Sequence, residues 1–331
     1  MKQILSLLFE HQNLSREEAR EVMLRMGAGE FNESQIAAFI SVYLMRSITV
    51  DELSGFRDAL LEQCIRVNLS DFNTVDIVGT GGDNKNTFNI STLSCFVVAG
   101  AGEKVAKHGN YGVSSASGAS NVLEHFGCKF SNDADRLRTS IEKSGMAFLH
   151  APLFNPAMKA VAPVRKNLGI RTFFNVLGPL VNPSVPQNQV LGVYSLKLAR
   201  LYNYLYQTTN MKYVILHALD GYDEISLTGD LKWIDSNGER VISPNEMGFS
   251  TLTERDLFGG NTIPEAASIF SNVLDNKATK AQIDVVVANS AAALQILRNQ
   301  ASWESCCNDA RESIVSSKAK QAFAKFVEIN K

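Results

Sequence analysis

Apolar and polar positions change pattern at about residue 70. Over roughly the first 66 residues apolar side chains recur at helical spacing, as at Ile36, Phe39, Ile40 and Tyr43, leaving one face to bury. Three helix starts pair a capping residue with Glu or Gln three positions later: Ser15 with Glu18, Asn32 with Gln35, and Thr49 with Glu52. They predict a small all-helical N-terminal domain over 1–68. From Thr74 short β-rich runs (TVDIV, KVAKH, MAFLH, QVLGVY, YVILHA) alternate with helical segments. That alternation predicts a large α/β domain over 69–331 with a mostly parallel central sheet and crossover helices. Between Pro152 and Pro186, prolines surround a helical-looking patch, Val164 to Phe174. A returning segment near 160–182 is therefore expected to leave the sheet and complete the helical domain. Gln282 to Leu297 and Ala301 to Phe326 have helical period and propensity and predict cover for the sheet.

A chain of 331 residues can bury a large core plus a satellite without staples. Lys and Arg number 32 against 34 Asp and Glu, a formal net charge of -2, so no broad field invites nucleic acid or an anionic membrane. Any polyanion must be held locally. The five cysteines (Cys64, Cys95, Cys128, Cys306, Cys307) show neither CxxC spacing nor a His pair at zinc-ligand spacing, and are expected as reduced, mostly buried thiols. The opening MKQILSLLFEHQ is interrupted by Glu10 and His11 and lacks a small-residue cleavage site, so it does not read as a signal peptide. No stretch approaches the ~20 apolar residues of a membrane span. A soluble, cytoplasmic protein is the expectation.

Two strings about one βα unit apart carry the clearest chemistry: GTGGD (Gly79 to Asp83) and KHGN (Lys107 to Asn110). Two such turns at successive strand ends suggest a ligand with two separate anionic groups. The glycines of GTGGD permit φ > 0 and a close approach of backbone to ligand, which suits a diphosphate; a plain tight βα turn has the same composition. Thr87, Asn89, Ser91 and Thr92 precede a helix running through Phe96 to Ala101, whose free amides would face the end of the same strand. Ser91 could be a hard-metal ligand there, or only a cap. Lys107 to Ala119 reads as a flexible anion-binding loop before a helix from Ser120 to Phe126. Asp223 and Glu224 follow the strand Tyr213 to Ala218 and are either solvated or a Mg²⁺ site on phosphate oxygens. Arg165, Lys166 and Arg171 stand among apolar residues. An Arg there could pair bidentately with a substrate carboxylate, or serve helix-end solvation or an interdomain ion pair.

Taken together, GTGGD, NIST, KHGN with SSASG, NPAMKAVAPVRKNLGIRTFFNVLGPLVNP and GYDEIS run in one order from Gly79 to Ser226. In these strings and in its N-terminal helices the chain resembles the anthranilate phosphoribosyltransferases of tryptophan biosynthesis. The resemblance implies a helical domain hinged to an α/β domain and a homodimer joined through the helical domains. It also implies Mg²⁺-dependent transfer of phosphoribose from phosphoribosyl diphosphate (PRPP) to the amine of anthranilate. Carried over by position, the PRPP site would comprise Gly79, Gly82, Asp83, Thr87, Asn89, Ile90, Ser91, Thr92, Lys107, His108, Gly109, Asn110, Tyr111, Gly112, Val113, Ser114, Ser115 and Ala119. Ser91, Asp223 and Glu224 would hold Mg²⁺. Gly79, Asn110 and Arg165 would contact anthranilate, with His108 at the entrance to its channel.

Three positions depart from the family pattern: Tyr111 where Arg is common, Asn121 where Asp is frequent, and Asn155 where His often precedes Pro-Ala-Met. None is among the residues expected to hold metal or carboxylate. Displacement of diphosphate at the anomeric carbon can pass through an oxocarbenium-like state and needs no protein nucleophile. The aromatic amine is neutral at pH 7, so no catalytic base is assigned. Two other functions fit the fold: a pyrimidine nucleoside phosphorylase, and a non-catalytic relative binding nucleic acid or a regulator. The second would require a basic groove and loss of the Asp223–Glu224 pair, and the near-neutral charge and intact pair count against it.

Overall fold

A computed structural model describes residues 1–112 and 117–331 of the chain. The chain divides into two units, Met1–Val67 with Ala151–Pro183, and Asn68–His150 with Ser184–Lys331.

In the first unit all three helix starts form as reciprocal caps. Ser15 Oγ accepts the Glu18 amide at 3.2 Å while Glu18 accepts the Ser15 amide at 2.9 Å. Asn32 with Gln35 and Thr49 with Glu52 repeat the exchange. Each pair satisfies amides that the helix itself leaves unpaired. The resulting helices, Arg16–Gly27, Glu33–Met45 and Val50–Gln63, follow an N-terminal helix, Lys2–Phe9. The first and third of the capped helices cross closely at Gly55, where a Cβ would lie 2.3 Å from the Arg16 carbonyl oxygen. The returning segment supplies Phe173, which stacks on Phe56 at 5.0 Å and meets Tyr43 and Phe39 edge-on at 5.1 and 6.1 Å. The single helical patch expected from Val164 to Phe174 is two helices, Met158–Leu168 and Phe174–Leu177. Gly169 ends the first at φ +64°, a left-handed conformation that stops a helix at little cost for glycine.

The second unit is built on one seven-stranded sheet: β1 Val75–Gly79, β2 Val105–Gly109, β3 Met146–His150, β4 Asn188–Gly192, β5 Lys212–Ala218, β6 Leu231–Asp235 and β7 Gly238–Ile242. Their spatial order is β3-β2-β1-β4-β5-β6-β7. The first five are parallel. β6 and β7 add an antiparallel hairpin beyond the five expected strands; β6 buries Leu231, Trp233 and Ile234, while β7 is exposed and carries Glu239 and Arg240, so it gives no hydrophobic signal. β3 and β4 are buried throughout, as expected for parallel strands covered on both faces. The helix Ile90–Gly100 packs against Lys280–Leu297 and Lys318–Asn330, and Phe96, Phe270 and Phe326 fill the space between helices. The helical run expected from Ala301 to Phe326 is two helices, Trp303–Val315 and Lys318–Asn330, separated at Ser317 with φ +62°. Strand order runs outward in opposite directions from β1 and β4, so their carboxyl ends form a switch point where open α/β sheets bind ligands. Among the described residues no helix is long and apolar enough to cross a membrane.

Candidate active site

The carboxyl ends of β1 and β4 are in register, Gly79 beside Gly192. Both glycines are there for space. A Cβ on Gly79 would lie 2.4 Å from Asp223 Oδ2, and one on Gly192 would lie 1.5 Å from the Asp223 carbonyl oxygen. The segment after β5 therefore lies directly across these strand ends. Beyond Gly79 the chain turns through Gly81 and Gly82 at φ +65° and +71°, and the Gly81 amide donates to Asp223 Oδ2 at 2.6 Å. Asp83 takes the Lys85 amide at 3.0 Å and sits beside Asp223.

Glu224 turns the other way, toward the helix Ile90–Gly100. Thr87 Oγ1 donates to its Oε1 at 2.8 Å and Ser91 Oγ to its Oε2 at 3.5 Å. The carboxylates are not the solvated pair that adjacent acids usually make, since Glu224 is buried. Burial pushes the Asp223 carboxyl up to about 7, and the neighbouring Asp83 charge adds to the effect. Burial, then Asp223, drives Glu224 well above the usual carboxylate range, and burial raises Asp83. Three acids all raised by burial, with Asp83 raising Asp223 and both raising Glu224, are a place where positive charge is missing. Among the described residues no three His, Cys, Asp or Glu side chains enclose a metal by themselves. A cation here would take part of its shell from a ligand or from water, the habit of Mg²⁺.

The loop leading to the helix is braced from a part of the chain with no motif. Phe88 N donates to Leu257 O at 3.1 Å, Gly259 N to Asn86 O at 2.8 Å, and Asn86 Nδ2 to Gly260 O at 2.9 Å. Asn89 does not cap the helix with its side chain; its Nδ2 donates to Ser117 O at 3.0 Å. Asn89 Oδ1 and Thr80 Oγ1 are buried without a hydrogen-bond partner among the described residues. Ile90 is core, so only its backbone is available, while Ser91 and Thr92 form the first turn of the helix.

Lys107, His108 and Gly109 correct the expectation of a flexible loop: they are strand β2, with Lys107 and His108 buried. They pair in register with Phe148, Leu149 and His150 of β3. Lys107 Nζ donates to Ile77 O at 2.6 Å, and the His108 amide to Asp76 Oδ1 at 3.2 Å. Asn110, Tyr111 and Gly112 follow the strand and are exposed, and Ala119 opens the helix Ala119–His125. Val113, Ser114 and Ser115 lie outside the described residues. Two of the family departures act here. Asn121 Oδ1 accepts both the Gly112 and the Gly118 amides at 3.0 Å, and the Tyr111 hydroxyl donates to Glu124 at 2.7 Å with its ring edge on His150. Asn155, the third, belongs to the helical unit, where its Nδ2 donates to Ala151 O at 3.3 Å. Arg165 also belongs to that unit, with its guanidinium over the Phe174 ring at 5.3 Å.

The glycosyl transferase family helical bundle domain matches residues 2–64 and the glycosyl transferase family a/b domain matches residues 71–320. An anthranilate phosphoribosyltransferase of Bacteroides thetaiotaomicron is 55% identical over 330 residues, spanning 100% of this chain and 99% of its own. The chain belongs to the anthranilate phosphoribosyltransferase family. The crystal structure of the family member from Thermus thermophilus superposes with a TM-score of 0.92 at 31% identity, covering 98% of each chain. The Saccharomyces cerevisiae member, in complex with PRPP and Mg, gives a TM-score of 0.91 at 27% identity, covering 98% of this chain and 96% of that one. Within this family frame, sequence reasoning missed Gly192, the 257–260 brace and Asn289, whose amide grips Ile225. No motif marks them, because each acts through backbone proximity across long sequence separations.

Proposed function

We propose that this chain transfers the 5-phosphoribosyl group from PRPP to the amine of anthranilate, giving N-(5-phosphoribosyl)anthranilate and diphosphate, the second step of tryptophan synthesis from chorismate. One observation carries the assignment within the family: the glycine turn after β1, the loop into the helix Ile90–Gly100, and Asp223–Glu224 meet at one switch point. The donor set there fits Mg²⁺. It offers only hard oxygens, its acids are raised by burial, and two buried polar atoms, Thr80 Oγ1 and Asn89 Oδ1, lack partners among the described residues. Ser91, Asp223 and Glu224 would hold the ion; Gly79, Gly82, Asp83, Thr87, Asn89 to Thr92, Lys107 to Ser115 and Ala119 would hold PRPP.

In the reaction the amine nitrogen bonds to the anomeric carbon as the bond from that carbon to diphosphate oxygen breaks, and diphosphate leaves with the electron pair. Mg²⁺, when bound, offsets the charge that grows on the leaving group. The Ser91 and Thr92 amides at the start of Ile90–Gly100 are fixed in advance, so no reorganisation is needed as that charge develops, while the Gly81 amide holds Asp223. The amine proton leaves during or after bond formation, without an assigned base. Gly79 and Asn110 would contact anthranilate beside His108, and Arg165 would pair with its carboxylate.

A homodimer through the helical unit is part of the proposal. Phe9, Leu44 and Met45 are exposed on the helices Lys2–Phe9 and Glu33–Met45, apolar surface suited to a second copy. The test of function is loss of anthranilate fluorescence on mixing enzyme, Mg²⁺ and PRPP. It is expected to require all three, and to fall at least ~100-fold in Asp223→Asn/Glu224→Gln with the Mg²⁺ requirement shifted upward. Phosphate-dependent release of uracil or thymine instead would identify a nucleoside phosphorylase.

A further inference from the structure

We infer that Asn289 is a positioning residue that sets the Asp223–Glu224 carboxylates in place for the metal-bound donor. The inference rests on the metal assignment proposed above and concerns a residue that touches neither metal nor substrate.

Asn289 lies in the middle of the helix Lys280–Leu297 and is buried. Its amide meets both backbone groups of Ile225, the residue after Glu224: Ile225 N donates to Oδ1 at 3.1 Å, and Nδ2 donates to Ile225 O at 2.8 Å. Nδ2 also donates to Val285 O, one turn back, at 2.9 Å. The side chain thus takes the part of a neighbouring strand for a single residue. An Asn in a helix interior forgoes some helix propensity, and a buried amide is costly unless paired. The helix has no need of it, since Val285, Val286, Val287 and Ala288 before it, and Ala291 to Ala293 after it, are apolar and buried. The need lies in the segment from Tyr222 to Ile225, which leaves the sheet and would otherwise bury the Ile225 N–H and C=O without partners.

From the opposite side the same segment rests on Gly79 and Gly192, where no Cβ would fit beneath Asp223. The two carboxylates are therefore carried on a backbone gripped between two glycines of the sheet and one amide of a covering helix. Loss of the amide frees the segment on one side only. Asp223 keeps the Gly81 amide while Glu224 loses the support behind it.

The test measures Mn²⁺ binding in the presence of PRPP and without anthranilate, by the free-Mn²⁺ electron paramagnetic resonance signal of the full-length protein. Asn289→Ala is expected to weaken Mn²⁺ binding roughly tenfold or more. KM for PRPP should rise and KM for anthranilate at saturating PRPP should stay within about twofold. Asn289→Asp, which keeps the shape and one acceptor but loses both Nδ2 donations, should shift in the same direction and serves if the alanine variant fails to fold. Leu294→Ala, a core truncation farther along the same helix, should lower the melting temperature without moving Mn²⁺ affinity. Wild-type Mn²⁺ affinity in the Asn289 variants, or an equal loss in Leu294→Ala, would overturn the inference. Should Asp223→Asn/Glu224→Gln bind Mn²⁺ normally, the metal assignment itself is wrong and the inference goes with it.

Discussion

Glu52 gathers several partners at the heart of the helical unit. Its carboxylate caps the helix Val50–Gln63 through the Thr49 amide, accepts the Leu14 amide and the Tyr43 hydroxyl, and pairs with both terminal nitrogens of Arg46. Burial alone would raise its pKa, but Arg46 and the two backbone amides outweigh burial and hold it below the ordinary value of 4.5. A carboxylate lowered on folding stabilises the protein above its unfolded pKa, and that contribution is lost as pH falls through the folded value. Melting temperature should therefore drop on acidification below about pH 4.5 more steeply in wild type than in Glu52→Gln. Arg46→Ala, which leaves a buried charge unpaired, should cost about 3 kcal/mol at neutral pH. Arg165 poses the matching question for catalysis. A charge-assisted contact of about 1.5 to 3 kcal/mol predicts that Arg165→Ala raises KM for anthranilate roughly ten- to hundredfold. KM for PRPP should barely move; equal effects on both substrates would remove the assignment.

Glycines set how closely several elements meet here. Gly81 and Gly192 both lie near Asp223 but serve it differently. Gly81 has φ +65° and open space around it, so Ala there meets only backbone strain of about 1 kcal/mol. Gly192 has an ordinary backbone, but Ala would place Cβ against the Asp223 carbonyl oxygen. Gly192→Ala should therefore lower kcat far more than Gly81→Ala, with a measurable rise in the Mg²⁺ concentration for half-activity. A reversed order would mean that the segment over β4 can shift without consequence. The elements also show where pattern reading stops. The reciprocal caps at Ser15, Asn32 and Thr49 are local and were legible, whereas β7 was not, because an exposed, charged edge strand carries no hydrophobic signature. The breaks at Gly169 and Ser317 escaped for a related reason: apolar periodicity continues across a residue whose φ turns positive.

At the scale of the whole molecule the helical unit is completed by a segment that joins it after three strands of the sheet are made. Phe173 stacks into the aromatic group of Phe39, Tyr43 and Phe56, and Phe173→Ala should destabilise that unit by about 3 kcal/mol. Both tryptophans, Trp233 and Trp303, belong to the α/β unit. In Phe173→Ala a denaturant titration followed by circular dichroism should begin earlier than one followed by tryptophan fluorescence, the helical unit unfolding first. Coincident transitions would show instead that the two units unfold together.

By itself the sequence determined the helix caps, the five parallel strands, the α/β class with its helical partner, and the glycine, hydroxyl and carboxylate strings of the proposed site. These are matters of neighbouring residues and of period, which local chemistry decides. Only the tertiary structure decided that Asp223 and Glu224 are drawn in against the strand ends, that Lys107 and His108 are buried in the sheet, and that Asn289 and the 257–260 segment support motifs far from them in the chain. Those facts follow from which backbone groups remain unpaired once the sheet and its helices are packed. Such a remainder exists only after distant parts of the chain have met.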